Sequence, residues 1–130
     1  MTRELFAIAD VLCITTGRLI SPRGIDAVYD IVGWMIKDRS VTTLGLLAHS
    51  AECKKAILNQ YPELLDFVEA PAPIESYSSD ELQEYYDRWI ESVSREVSRK
   101  FYAIAQIDVQ YKSDLRIWDD VKNKSVDYTK

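Results

Sequence analysis

Apolar residues recur along this chain at the three- and four-residue spacings of helices over most of its length. Leu5, Ile8, Val11 and Leu12 form one such stripe between Leu5 and Ile14, with Asp10 on its exposed side, although the first of these residues also fit an extended segment. Thr15-Thr16-Gly17 stops the stripe, because glycine takes a left-handed C-terminal conformation without the penalty of a Cβ. A second helix is predicted over 22–37. Ser21 is placed to cap it and Pro22 suits its first position, while Ile25, Val28, Tyr29, Val32, Met35 and Ile36 share a face. Asp26, Asp30 and Lys37 fall opposite.

Thr42 or Thr43 is placed to cap a short helix through Leu44, Leu46, Leu47 and Ala48, and Ser50 to cap a restart that runs by Ile57 and Leu58 to Tyr61. Pro62 begins another turn, with Leu64, Leu65, Phe67 and Val68 apolar. Ala70-Pro71-Ala72-Pro73 lies in an extended loop over about 69–78, since proline removes donors and pushes its predecessor out of the helical region. Ser78-Ser79-Asp80-Glu81 fits a capping box, followed at helical spacing by Leu82, Tyr85, Tyr86, Trp89, Ile90, Val93 and Val97, which predicts a helix over 79–98. Phe101 to Ile107 fits either a continuation or a strand. The alternation of Ile107, Val109 and Tyr111 favours a short strand ending near Tyr111. Asp114 is placed to cap a last helix through Leu115, Ile117, Trp118 and Val121. The expected fold is mainly α with a minor short strand pair, a single domain over 1–124 with about four to six helices, and a frayed tail at 125–130.

Composition narrows the function classes. With 47% hydrophobic residues and a mean hydropathy of −0.20, the chain can build a core, which excludes a disordered or low-complexity segment. Its longest apolar run falls far short of the roughly 18–20 residues of a membrane span. Arg3, Glu4 and Asp10 interrupt any signal-peptide apolar region. Cys13 and Cys53 are too few for a disulfide framework and fit buried thiols in a reducing cytoplasm.

Net charge is −5, which argues against direct binding to nucleic-acid backbones. The charge is unevenly placed. Residues 61–91 hold Glu63, Asp66, Glu69, Glu75, Asp80, Glu81, Glu84, Asp87 and Glu91 against the single base Arg88, a block of −8. The remainder is net +3.

Three constellations could carry function. At Thr15, Thr16, Gly17, Arg18, Ser21 and Arg23 a glycine turn leads into a helix start with hydroxyls and guanidiniums nearby, a setting for a phosphate or nucleotide-like anion. The same residues also fit a capped helix start with its arginines paired to surface carboxylates, and no Walker pattern is present. His49 and Cys53 share a helical face, but without a second His or a CxxC they fit a buried histidine and thiol better than a metal or nucleophilic site. No metal or other cofactor is expected.

The third constellation is Tyr77, Asp80, Glu81, Glu84, Tyr85, Asp87, Arg88 and Glu91, acids interleaved with aromatics. It fits a docking face for a basic or nucleic-acid-binding protein, or else a solvated helix face beside a core stripe of Tyr85, Tyr86 and Trp89. Its carboxylates lie away from the apolar stripe and so lack the environment that acid–base catalysis requires.

Ala9-Asp10-Val11-Leu12-Cys13-Ile14-Thr15-Thr16-Gly17-Arg18-Leu19 resembles a family of small phage and prophage proteins whose signature is Asp-Val-Leu followed by Thr-Thr-Gly-Arg-Leu. The resemblance continues through Gly24–Ile31 and Trp34–Asp38, and more loosely through Glu52-Cys53 and Leu58–Leu64, so that about the first half of the chain is covered. Where members of that family often carry a Phe-Thr-His-Gln-Leu-type segment, this chain has Val41-Thr42-Thr43-Leu44-Gly45-Leu46-Leu47. The resemblance implies a phage setting and assigns no reaction.

These readings together predict a non-enzymatic accessory protein in the bacterial cytoplasm that inhibits a host defence or takeover target by binding it. The alternative is a protein that sequesters a phosphate-bearing nucleotide signal, as a possible homo-oligomer.

Overall fold

The computed structural model describes residues 2–107. In order, it has strand β1 (Arg3–Ala7), helices α1 (Ile8–Thr16), α2 (Ile25–Met35) and α3 (Thr43–Gln60), a 3-10 helix (Pro62–Phe67), helix α4 (Ser79–Val97) and strand β2 (Phe101–Ala105). Among the described residues the fold is therefore mainly α with one antiparallel strand pair, as the hydrophobic spacing predicts.

The extended option holds for the first residues. Arg3–Ala7 pairs with Phe101–Ala105 in the register Glu4↔Ile104 and Phe6↔Tyr102, and the helix begins only at Ile8. The period of two sends Phe6, Tyr102 and Ile104 into the core and leaves Leu5 and Phe101 exposed on the other face. The strand ends at Ala105, short of the alternating segment that favours an end near Tyr111. That segment past Ile107, the helix capped by Asp114 and the tail at 125–130 lie outside the described residues.

Short α1 is the central element. Ile8, Val11, Leu12, Cys13 and Ile14 are all buried, and so is Asp10, contrary to the exposed side assigned to it by periodicity. A helix apolar nearly all round must be enclosed. α1 is enclosed by α2, α3, α4, the strands and the 3-10 helix. Gly17, at φ 71°, closes it with its N–H on the Cys13 carbonyl.

The start of α2 differs from the sequence pattern. Ser21, Pro22 and Arg23 form a turn, and the helix begins at Ile25 with Gly24 at its N-cap position, φ 60°. Ser21 does not cap it, because the helix starts four residues on; its hydroxyl closes the turn instead, accepting from the Arg23 N–H at 3.2 Å and donating to Asp10 at 2.6 Å. At the far end α2 stops at Met35, and Lys37 turns with φ 60°. α3 is one helix rather than two. Thr42 caps it through the Gly45 N–H, and Ser50 lies within it. Its core face is Leu46, His49, Cys53 and Ile57. Pro62 does start a new turn, and Leu64 from that turn is fully buried.

The capping box of α4 is complete. The Ser78 hydroxyl accepts from the Glu81 N–H while the Glu81 carboxylate accepts from the Ser78 N–H. Tyr86, Ile90 and Val93 carry α4 into the core. Trp34 ties α2 to the sheet by donating from Nε1 to the Ile104 carbonyl at 2.8 Å.

Candidate functional site

The turn at 15–24 is held by its own polar groups. The Thr15 and Thr16 hydroxyls both donate to the Leu12 carbonyl, the ordinary use of a hydroxyl near a helix C-terminus. Arg18 reaches across to α4 and its loop, donating to the Tyr86 hydroxyl at 2.9 Å and the Pro71 carbonyl at 3.2 Å, with its guanidinium over the Tyr86 ring. Arg23 bridges the buried Asp10 at 2.7 Å and Asp30 on the exposed face of α2. Both carboxylates push its already high pKa further up, Asp30 contributing most. The structure thus gathers Thr15, Thr16, Gly17, Arg18, Ser21 and Arg23 around α1, yet each guanidinium is spent on a protein acceptor. Arg23 faces two carboxylates rather than an open anion cradle. The missing signal was Asp10, whose burial follows from the enclosure of α1 and is invisible to a single-helix periodicity.

Cys13 accepts the Ser21 N–H at 3.3 Å, and burial pushes its thiol pKa up. Cys53 is completely buried, and burial pushes it up to about 12. The nucleophile is the thiolate, so neither thiol is activated. His49 is buried, with Nδ1 3.0 Å from the Glu52 carboxylate. Its Nε2 has no hydrogen-bond partner among the described residues. No group of His, Cys, Asp and Glu able to hold a metal occurs among the described residues.

α4 separates the two uses of its aromatics. Tyr86 is buried, Tyr85 and Trp89 are half-buried and Tyr77 is exposed. Tyr77 and Tyr85 meet edge-on at 5.9 Å, and Tyr85 continues to Tyr86 at 5.4 Å. Asp80, Glu81, Glu84, Asp87, Arg88 and Glu91 are all exposed. Arg88 pairs with Glu84 at 2.6 Å, and Gln83 donates to Asp87 at 2.9 Å. Asp80, Glu81 and Glu91 have no ion pair among the described residues. The Ser78 backbone and hydroxyl hold the Glu81 carboxyl below the usual range, so it stays charged to lower pH. The ridge is therefore a band of exposed negative charge flanked by Tyr77.

Two features escaped the sequence reading. An apolar groove of about 280 Å³ opens between α1, α2 and α3, lined by Leu19, Ile25, Val28, Leu46 and Leu47 with Cys13 at its wall. Leu19, Ile25 and Leu47 are exposed there, a departure from the usual scatter of single surface apolar residues. Gln83 of α4 donates to the Ile20 carbonyl at 2.9 Å, one residue after Leu19. Only the packing of three helices brings the groove residues together. The second feature is a basic corner after α4, lined by Arg95, Arg99 and Lys100.

Fold and surface define a mainly-α protein with a closed core, an acidic helix and an apolar groove. Residues 6–67 are similar to a family described as a domain of unknown function (DUF7736), a match that covers just under half of the chain and ends before α4. No curated protein matches the chain, and no solved structure does. No helix among the described residues is long and apolar enough to cross a membrane.

Proposed function

We propose that this chain is a phage accessory protein that works by binding. In this reading the acidic ridge of α4, with Tyr77, engages a basic protein of the bacterial host, most simply a nucleic-acid-binding component of a defence or takeover target in the cytoplasm. The observation that carries the reading is the exposure of Asp80, Glu81, Glu84, Asp87 and Glu91 on one helix with Arg88 as the only cation among them. Such a ridge steers a basic partner by long-range attraction and fixes its register. The groove between α1, α2 and α3 offers Leu19, Ile25 and Leu47 as further exposed apolar anchors of the kind found at the centre of protein interfaces. The phage setting rests on the resemblance of residues 9–19.

The test is capture from infected cells by the tagged chain, followed by titration with the purified partner. Replacing Glu81, Glu84 and Asp87 together by Lys reverses the ridge and should weaken that complex by about a hundredfold or more, since juxtaposed like charges cost several kcal/mol. Wild-type affinity in the triple variant would overturn the assignment of the ridge. The binding should also fall as salt rises.

A further inference from the structure

The arginines of the described residues divide into two groups. Arg3, Arg18, Arg23, Arg39 and Arg88 donate to protein acceptors. Arg95 and Arg99 form no ion pair or side-chain hydrogen bond among the described residues, and both line one cavity of about 360 Å³ at the corner between α4 and β2. Lys100 lines it too and is likewise unpaired among those residues. Ser94, Ser98 and Glu91 complete the wall.

This corner is rigidly built. Ser98 takes a left-handed conformation, φ 55°, and its N–H donates to the Arg95 carbonyl while the Arg99 N–H donates to Ser94. The Ser94 hydroxyl donates to the Arg99 carbonyl at 2.9 Å, and the Lys100 carbonyl accepts from the Ile8 N–H at 2.9 Å. Arg99 is held further by aromatic faces, its guanidinium carbon lying 4.9 Å from the ring centroids of both Tyr61 and Tyr102. A guanidinium stacked in this way keeps its N–H donors free and loses less freedom on binding than a loose side chain.

We propose that this corner is a binding site for a compact phosphate-bearing anion carrying a diphosphate group. Arg95, Arg99 and Lys100 line this corner with a single acidic residue, Glu91, so its lining carries an excess of positive charge suited to a multiply charged oxyanion. The neighbouring charges limit the size of the ligand. Glu91 continues into the acidic ridge of α4, so an extended polyanion following the helix would meet Asp87 and Glu84. A single-stranded or duplex nucleic acid is disfavoured on that ground, while a diphosphate fits within the cavity. The site adjoins the ridge at Glu91 but does not depend on the ridge's proposed protein partner.

The experiment is calorimetric titration of the full chain at low ionic strength, with inorganic pyrophosphate in one arm and ADP in another. Binding is expected in at least one arm, and the tighter arm identifies the source of the diphosphate. Replacing Arg95 and Lys100 together by Gln leaves the Arg99 stack in place and should weaken binding about tenfold or more. Lys55→Gln, an exposed residue of α3 outside the cavity, should leave binding unchanged. Melting curves establish that both variants fold. The proposal is overturned by the absence of binding to the wild-type chain at millimolar ligand, or by equal affinity in the double variant. A short single-stranded oligonucleotide that binds more tightly than either diphosphate would overturn it too.

Discussion

Asp10, Ser21 and Arg23 show how one buried carboxylate organises a turn. Asp10 accepts from the Ser21 hydroxyl at 2.6 Å and from Arg23 at 2.7 Å, and Ser21 is itself buried. The two sides of the ion pair are unequal, because the Asp10 side chain is 5% exposed and that of Arg23 46%. Arg23 without Asp10 keeps Asp30 and water, whereas Asp10 without Arg23 keeps only the serine hydroxyl in a dry setting. Arg23→Met, which retains the aliphatic stem, should therefore cost about 2–3 kcal/mol, less than a fully enclosed pair because Arg23 is half in water. Asp10→Asn keeps an acceptor for Ser21 and should cost about 1 kcal/mol. Urea midpoints of the two variants check the order, and a larger loss for Asp10→Asn would contradict this account. The same three residues explain why the sequence misled at Ser21 and Pro22. The pattern of a cap followed by proline is local, whereas Asp10, eleven residues upstream, anchors Ser21 and Arg23 in a turn that the Ser21 oxygen closes by accepting the Arg23 N–H, and the helix starts only after it.

At the scale of elements, legibility followed how local the determining interactions are. The α4 capping box is formed by Ser78 and Glu81 alone, so its spacing predicts the start correctly and the apolar stripe predicts its length to within one residue of Val97. Thr42 at the start of α3 and Pro62 at the following turn are equally local. β1 is different. Five residues with a single inward Phe6 become a strand only because Phe101–Ala105 lies alongside, a pairing that no window along the chain contains. The division within the aromatics of α4 likewise needed the packing. Tyr86 is buried beneath Arg18 and the Pro71 loop, while Tyr77 stands before the helix and outside the core. Because the start of α4 depends on a local motif, Ser78→Ala should lower stability by about 1 kcal/mol without altering the strand pair. Thermal unfolding monitored by circular dichroism tests the loss. Native-state hydrogen exchange should show it concentrated in the first turn of α4, with amides of Phe101–Ala105 opening only globally. Preferential loss of protection in β2 would refute the local assignment.

Across the whole molecule, the segment similar to a family of unknown function and the structural core do not coincide. Residues 6–67 supply α1, α2, α3 and the 3-10 helix, but α1 is completed by residues from beyond that segment. Tyr86, Ile90 and Val93 from α4, and Tyr102 and Ile104 from β2, belong to the same buried cluster as Val11, Leu12 and Ile57. Tyr102 is fully enclosed, and burial, with Glu63 adding to it, pushes its phenol up to about 12. Removing everything after residue 67 would expose one side of α1 and leave Phe6 without its strand partner. Each large apolar side chain returned to water forfeits about 1.5–3 kcal/mol, and several together exceed the total stability of a small domain, roughly 5–15 kcal/mol. Residues 1–67 alone should accordingly show no cooperative melting transition and should bind a hydrophobic dye. The full chain, which holds all of these contacts, should melt cooperatively under the same conditions. A sharp transition in the fragment would mean that the family-like segment is a folding unit by itself, with α4 and β2 as additions to its surface. In the intact fold the proposed binding surfaces are inseparable from the core. The helix that displays the acidic ridge is the one that closes α1, and the corner holding Arg95 and Arg99 is the connection that returns the chain to β1.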